Sequence, residues 1–248
     1  MNLSDVLGSK IYVKENGSIN FNSPRTYIQP FLDAIAYDGN EENITVKTQV
    51  EVINDNEGGE RNTAFGRIAI EAKVANSVPG FQSVIGMIYA LDIQKPIVKI
   101  YTGQNASACT NLTIFNAEGV FEQSLLSGFN TVYGKATEYL NKKEAEAVEF
   151  TEIYNELTTS LMSTEELNHE IGRILRSAPR TRIGTTPIVQ ACSRIDSKES
   201  IYYVKPGEPC SKMNLYDSIT QSFTNSKDIL DKPIKTIQLS KLFNIFKN

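Results

Sequence analysis

Apolar positions along this chain change their period, and the change divides it in two. From Ile44 they alternate with polar ones: Ile44, Val46, Thr48, Val50 and Val52 fall on one face, and Thr45, Lys47, Gln49 and Glu51 on the other. That is the period-two pattern of a half-buried strand. A polar, glycine-bearing connection, Asn54 to Asn62, leads to a second alternating run from Ala64 to Val74 with Ile68, Ile70, Ala72 and Val74 inward. The pair predicts an antiparallel hairpin. Val78-Pro79-Gly80 is a turn signal before Val84 to Leu91, and Pro96 to Tyr101 and Leu112 to Phe115 continue the series. Upstream, Lys10 to Lys14 reads as a short strand ended by Asn16-Gly17, and Phe31 and Ile35 follow Pro30 at a helical interval.

Beyond Ala117 the interval becomes three and four. Val120-Phe121, Leu125, Phe129, Val132-Tyr133, Ala136 and Leu140 predict one helix, and Ala145-Val148 to Leu161 a second, with a break at Asn141-Lys142-Lys143. Ser163 stands three residues before Glu166, the spacing of a capping box, so a helix carrying Leu167, Ile171, Ile174 and Leu175 should start there and stop before Pro179. Thr186-Pro187 opens another short helix through Ile195, and Ile201 to Cys210 reads as an extended segment leaving through a turn. Leu215 to Phe223 and, after Lys232-Pro233, Ile234 to Phe246 predict two final helices. The whole reads as an α+β protein, with an antiparallel sheet of four to six strands in the N-terminal half and a mainly helical C-terminal half. A length of 248 residues suits one domain over 1–248, with 1–117 mainly strands and 118–248 mainly helices.

Composition narrows the function classes. Apolar residues make up 40% and charged residues 22%, the balance of a globular chain rather than a disordered one. No run reaches the roughly 18 apolar residues of a membrane span, and the N-terminal residues carry neither the basic nor the apolar region of a signal peptide, so a cytoplasmic location with no membrane partner is expected. Under that expectation the Asn-x-Ser/Thr matches at Asn16, Asn43, Asn105 and Asn111 are accidents of an Asn-rich chain. One histidine, His169, and three dispersed cysteines, Cys109, Cys192 and Cys210, give no metal-ligand spacing, and there is no Walker loop, Gly-x-Gly-x-x-Gly or Gly-x-Ser-x-Gly. The sequence therefore predicts no cofactor, no metal and no enzyme. His169 lies among Glu165, Glu166 and Glu170, as a surface histidine would, and pairs such as Glu149 with Glu152 read as solvated charge.

Net charge is −4, too acidic for a global nucleic-acid-binding field, but the charges are unevenly placed. Nine glutamates against Lys142 and Lys143 occupy 138–170, whereas 173–194 holds Arg173, Arg176, Arg180, Arg182 and Arg194 with no acidic residue. Arginine suits bidentate phosphate contacts, so these five side chains could track a phosphate backbone; equally, they could lie against the acidic helix before them or complement a helix dipole. Tyr202-Tyr203, and Tyr27 with Arg25, are the aromatic candidates for stacking bases, against the ordinary outcome that strand aromatics are core.

Three elements carry a family resemblance: Cys109-Thr110-Asn111-Leu112 between the strands and the long helix, Leu167 to Leu175, and Asn214-Leu215-Tyr216-Asp217-Ser218-Ile219-Thr220. Over about residues 24–225 the chain resembles the phage- and plasmid-borne family known as domain of unknown function nine-three-two, which carries a Cys-[Thr/Asn]-Asn-x-Leu element and a late Leu-Trp/Tyr-Asp-x-x-Asn-x-Thr element. This chain has no tryptophan. The resemblance implies a mobile-element setting, in the host cytoplasm if phage-encoded, and no established chemistry, so no catalytic residue follows from it.

Two functions are expected from this. The first is a non-enzymatic phage or mobile-element protein that binds single-stranded DNA in replication, recombination or transcription, with the five arginines on phosphates. The alternative is an acidic interaction module that binds or inhibits a host or phage protein through its glutamate-rich helices. Homo-oligomerisation is left open by the sequence.

Overall fold

The computed structural model describes residues 11–15, 18–22, 25–37, 44–54, 61–90, 97–106, 111–116, 120–124, 130–223 and 231–246. Where the sequence predicts one domain, the chain gathers into two compact units that interleave along it. Met1–Ala75, Ser83–Thr102 and Glu118–Lys143 make the first, and Asn76–Gln82, Gly103–Ala117 and Glu144–Asn248 the second.

The first unit opens with a hairpin of β1 (Ile11–Glu15) and β2 (Ser18–Asn22), antiparallel from Ile11↔Asn22 to Glu15↔Ser18. Helix α1 (Arg25–Tyr37) begins five residues earlier than Pro30 suggests, leaving that proline inside the helix. Burial is the reason: Tyr27, Ile28, Phe31, Leu32, Ala34 and Ile35 form one apolar stripe that needs the earlier turn, and the stripe outweighs the hydrogen bond Pro30 cannot donate. The sheet follows in the order β3 (Ile44–Asn54), β4 (Arg61–Val74), β5 (Phe81–Ala90), β6 (Ile97–Ala106), with β8 (Val120–Ser124) beside β6. The predicted β3–β4 hairpin is present and antiparallel. Its register shifts where Gln49 faces Arg67 and Val50 faces Phe65, which leaves Gly66 as the extra residue of a bulge.

Strand β8 departs from the helical reading of Val120-Phe121. Its residues pair antiparallel with β6 from Ile97↔Ser124 to Tyr101↔Val120, because the edge of β6 offers a ladder that two good strand formers complete. The predicted break at Asn141-Lys142-Lys143 is likewise absent, and α2 (Asn130–Thr159) runs unbroken for 30 residues. Buried Val132, Ala136, Tyr139, Leu140, Ala147, Phe150, Ile153 and Leu157 keep one helical phase through the polar stretch, so no interruption is called for. Glu138 also accepts from Lys135 at 2.6 Å and Lys142 at 3.2 Å, one turn away on either side, and these bonds hold its carboxyl below the usual range.

In the first unit the stripe of α1 and Val132, Ala136, Tyr139 and Leu140 of α2 pack with Ile68, Ile70, Ala72 and Val74 of β4, Ile85, Met87 and Tyr89 of β5, and Val98 and Ile100 of β6. At Gly86 the sheet has no room for a side chain. A Cβ on Gly86 of β5 would lie 2.0 Å from Cζ of Tyr101, whose buried ring crosses β5 so that its hydroxyl reaches Glu71 Oε1 on β4 at 2.7 Å.

The second unit takes the rest of α2, β9 (Leu161–Met162), α3 (Thr164–Ser177), a 3₁₀ turn (Ala178–Arg180), α4 (Thr186–Asp196), β10 (Cys210–Ser211), α5 (Lys212–Thr220) and α6 (Asp231–Leu242). Here the end of β6 pairs with β7 (Leu112–Thr113), and β9 pairs antiparallel with β10. The predicted capping box is present: Ser163 Oγ accepts from the Glu166 amide at 3.3 Å, and Glu166 Oε2 accepts from the Ser163 amide at 2.8 Å. Phe115, Phe150, Leu167, Ile174, Ile188, Leu215, Ile219 and Leu239 are among the residues of its core. An antiparallel sheet in the N-terminal half and helices in the C-terminal half make this an α+β protein, as the pattern predicts. Among the described residues no helix is long and apolar enough to cross a membrane.

Replacing Gly86 by alanine should destabilise the protein by about 1–3 kcal/mol or more, because the Tyr101 ring has no room to give way. Thermal melting of the variant checks this, and an unchanged midpoint would contradict the packing of Tyr101 over Gly86.

Candidate nucleic-acid interface

The five arginines of 173–194 do not form one stripe. Two of them are spent on the ends of neighbouring helices. At the C-terminus of α6 the chain turns through Asn244, a non-glycine residue at φ 58°, in a Schellman arrangement: the Ile245 amide donates to Ser240 O at 3.0 Å and the Asn244 amide to Lys241 O at 3.2 Å. With Phe243 N on Leu239 O, the turn leaves the Leu242 carbonyl to accept from elsewhere. Arg173 supplies the donor, its Nη2 lying 2.6 Å from Leu242 O. The same guanidinium is forked onto Glu170 of its own helix, Nε to Oε2 at 2.8 Å and Nη2 to Oε1 at 2.5 Å. This fork holds the Glu170 carboxyl below its ordinary range and the Arg173 guanidinium above its own.

Arg194 does the same at the end of α5. The final turn tightens there, with Ser222 N donating to Ile219 O rather than to Ser218 O. Arg194 Nη1 fills the vacancy, donating to Ser218 O at 2.7 Å and to Ser222 Oγ at 2.8 Å. Both guanidiniums thus place positive charge against the negative end of a helix dipole while satisfying a carbonyl that lacks an amide partner.

The remaining three differ. Arg176 lies in the last turn of α3, Arg180 ends the 3₁₀ turn, and Arg182 follows two residues later; all three are exposed. Among the described residues none of the three side chains has an ion-pair or hydrogen-bond partner. Their loop is ordered from within: Thr181 N and Oγ1 both donate to Ala178 O, Ile183 N donates to Thr181 Oγ1, and the Ile183 side chain is buried in the core. From outside, the Arg182 amide donates to Gln238 Oε1 of α6 at 2.7 Å. Beyond it, Thr185, Thr186, Val189, Gln190 and Ser193 are exposed and uncharged, so the arginines face no carboxylate from their own segment.

Of the aromatic candidates for base stacking, Tyr203 is half-buried and the other two are core residues. Tyr27 is 4% exposed beside Tyr89, and Tyr202 is 7% exposed. The Tyr202 hydroxyl belongs to a polar cluster that joins the segment before β7 to α5. Asn111 Nδ2 donates to Tyr202 Oη at 3.2 Å and to Asp217 O at 3.0 Å, Tyr202 Oη donates to Gln221 Oε1, and Asn214 Nδ2 donates to Tyr202 O. Asn111 is buried and its Oδ1 has no partner among the described residues. Half-buried Asp217 lies between buried Tyr216 and Ser218, and desolvation pushes its carboxyl up to about 7, against a smaller lowering by Asn111. A single acid inside Leu215-Tyr216-Asp217-Ser218-Ile219 is the signal of this cluster in the sequence.

His169 is exposed, in a hollow of about 580 Å³ lined with Leu161, Glu165, Glu166, Glu170 and Lys212. Two of its carboxylates already have partners: Glu166 is held low by the Ser163 bonds and Glu170 by Arg173, which makes both poor proton carriers near neutrality. Cys192 is half-buried and Cys210 buried, each with its thiol pushed up by burial, away from the thiolate a nucleophile needs. Cys109 lies outside the described residues, as do Asn16 and Asn43; Asn105 and Asn111 are buried. Among the described residues no group of three or more His, Cys, Asp or Glu side chains is placed to hold a metal ion.

Because Asp217 titrates higher in the folded chain than its ordinary 3.8, it favours folding most at low pH, and that contribution is lost as pH rises toward about 7. Asp217→Asn should therefore stabilise the protein by an amount that grows from pH 4 to 7 and then levels. Melting temperatures of both proteins at pH 5 and 8 check this; an equal difference at the two values would mean an ordinary carboxyl. No family model, no curated protein and no solved structure matches this chain.

Proposed function

We propose that this protein binds single-stranded DNA through phosphate contacts from Arg176, Arg180 and Arg182, without catalysing a reaction. The observation carrying the reading is the division of the arginines. Arg173 and Arg194 are engaged by carbonyls, Ser222 and Glu170, while three others stand exposed within seven residues, at the end of α3 and on the self-bonded loop after it, in an acid-free segment. Exposed arginines with no carboxylate beside them cost little to desolvate against phosphate and suit its bidentate geometry. With Tyr27 and Tyr202 in the core and Tyr203 half-buried, the binding rests on the backbone and is indifferent to base sequence. A flexible single strand can follow three cations spread over a helix end and the loop after it. The mobile-element setting rests on the resemblance in the Cys109 to Leu112 and Asn214 to Thr220 elements.

The alternative of a protein-docking acidic face has its support on α2, where Val148 is 56% exposed and Glu152 and Glu156 are also exposed. One titration separates the two. Fluorescence anisotropy of a labelled oligo-deoxythymidine should show binding in the range of about 1–100 μM at 50 mM salt. Replacing Arg176, Arg180 and Arg182 together by alanine should weaken it at least about tenfold and lower the slope of log affinity against log salt by about two, at roughly 0.7 per phosphate. No binding by the wild-type protein would favour the docking face, and unchanged binding by the triple variant would remove the arginines from the site.

A further inference from the structure

Resting on that reading, we infer that Gln238 of α6 is the positioning residue of the arginine loop, so that the C-terminal helix sets how the protein grips phosphate. Among the described residues every other hydrogen bond of Ala178–Ile183 is made within the loop or back to α3: Thr181 to Ala178, Ile183 to Thr181, and the Ala178 amide to Ile174 O. These bonds fix the loop's internal shape. They leave open how Arg180 and Arg182 stand relative to Arg176 on the helix, and a phosphate track needs that spacing held. The bond from the Arg182 amide to Gln238 Oε1, 2.7 Å across 56 residues, supplies the tie, at one of the three proposed phosphate-binding residues. It leaves the Arg182 guanidinium free.

The chemistry of the tie suits this role. Gln238 is half-buried, and its neutral amide oxygen accepts from the backbone without placing a negative charge beside Arg182. A glutamate would accept equally well but would also compete with phosphate for the guanidinium. The same helix is fastened to α3 one turn further on by Arg173 on the Leu242 carbonyl, so the last turns of α6 hold both the helix that carries Arg176 and the loop that carries Arg182. A shift of these last turns would change the spacing of the three arginines. Sequence pattern gives no warning of this, since Gln238 reads as one polar position between Ile237 and Leu239.

The test uses the full chain and oligo-deoxythymidine. Gln238→Leu removes the acceptor and keeps the bulk; Gln238→Ala serves as a second variant in case the first does not fold, and melting confirms which are folded. The expected result is a loss of about three- to tenfold in affinity, the size of one lost hydrogen bond, a salt slope lower by about 0.7, and faster exchange of the Arg182 amide by NMR. Gln238→Glu should restore slow exchange of that amide while leaving affinity low. The inference is overturned if a folded Gln238→Leu or Gln238→Ala variant binds with wild-type affinity and slope while the triple arginine variant does not. If the triple variant also binds normally, the phosphate reading falls and this inference with it.

Discussion

An α-helix ends in carbonyls that have no amide to accept from, and in the helical unit of this protein two such ends are closed by arginines from other helices. Arg173 closes α6 at Leu242 and Arg194 closes α5 at Ser218. Each contact combines a charged hydrogen bond with a cation at the negative end of a dipole. The arrangement depends on how each helix terminates. Asn244 in the left-handed region bonds away the carbonyls of Ser240 and Lys241 but not that of Leu242, and the tightened turn at Ser222 strands the carbonyl of Ser218. The arginines also decide the chemistry of the surface, because a guanidinium pinned to a carbonyl has fewer N–H groups to offer a ligand. What remains for an outside partner is set by what the helix ends leave over.

Strand alternation from Ile44 to Val74, the capping box at Ser163 and the helix opened by Pro187 were legible because each is a local pattern with a local cause. The departures have non-local causes. Val120-Phe121 are apolar at a spacing that also suits a helix, and only the edge of β6 makes them a strand. The polar run Asn141-Lys142-Lys143 resembles a break because composition changes there, yet the apolar phase passes through it and the helix continues. Pro30 marks a helix start in isolation, but the buried stripe beginning at Tyr27 places it inside.

The site was half legible. Charge counting finds an acid-free segment rich in arginine, and it cannot rank five arginines whose sequence contexts are alike. Ranking them needs the positions of carbonyls that lie 69 and 24 residues further along the chain. The polar cluster of Asn111, Tyr202 and Asp217 is hidden in the same way, since its members are 91 and 106 residues apart. Its cost shows in the Asp217 carboxyl, which burial drives toward the neutral form. Such clusters are tolerated in a core when their bonds fix one arrangement of the surrounding elements, and this one joins the segment before β7 to α5.

The division of the arginines is the claim on which the account stands, and thermal unfolding of single alanine variants tests it most directly. Arg194→Ala should lower stability by about 1.5–3 kcal/mol, since a charged bond to Ser218 O and Ser222 Oγ is lost, whereas Arg176→Ala should stay within about 0.5 kcal/mol of the wild type. Equal, small effects at the two positions would contradict the account, because the five arginines would then be one exposed set rather than two kinds.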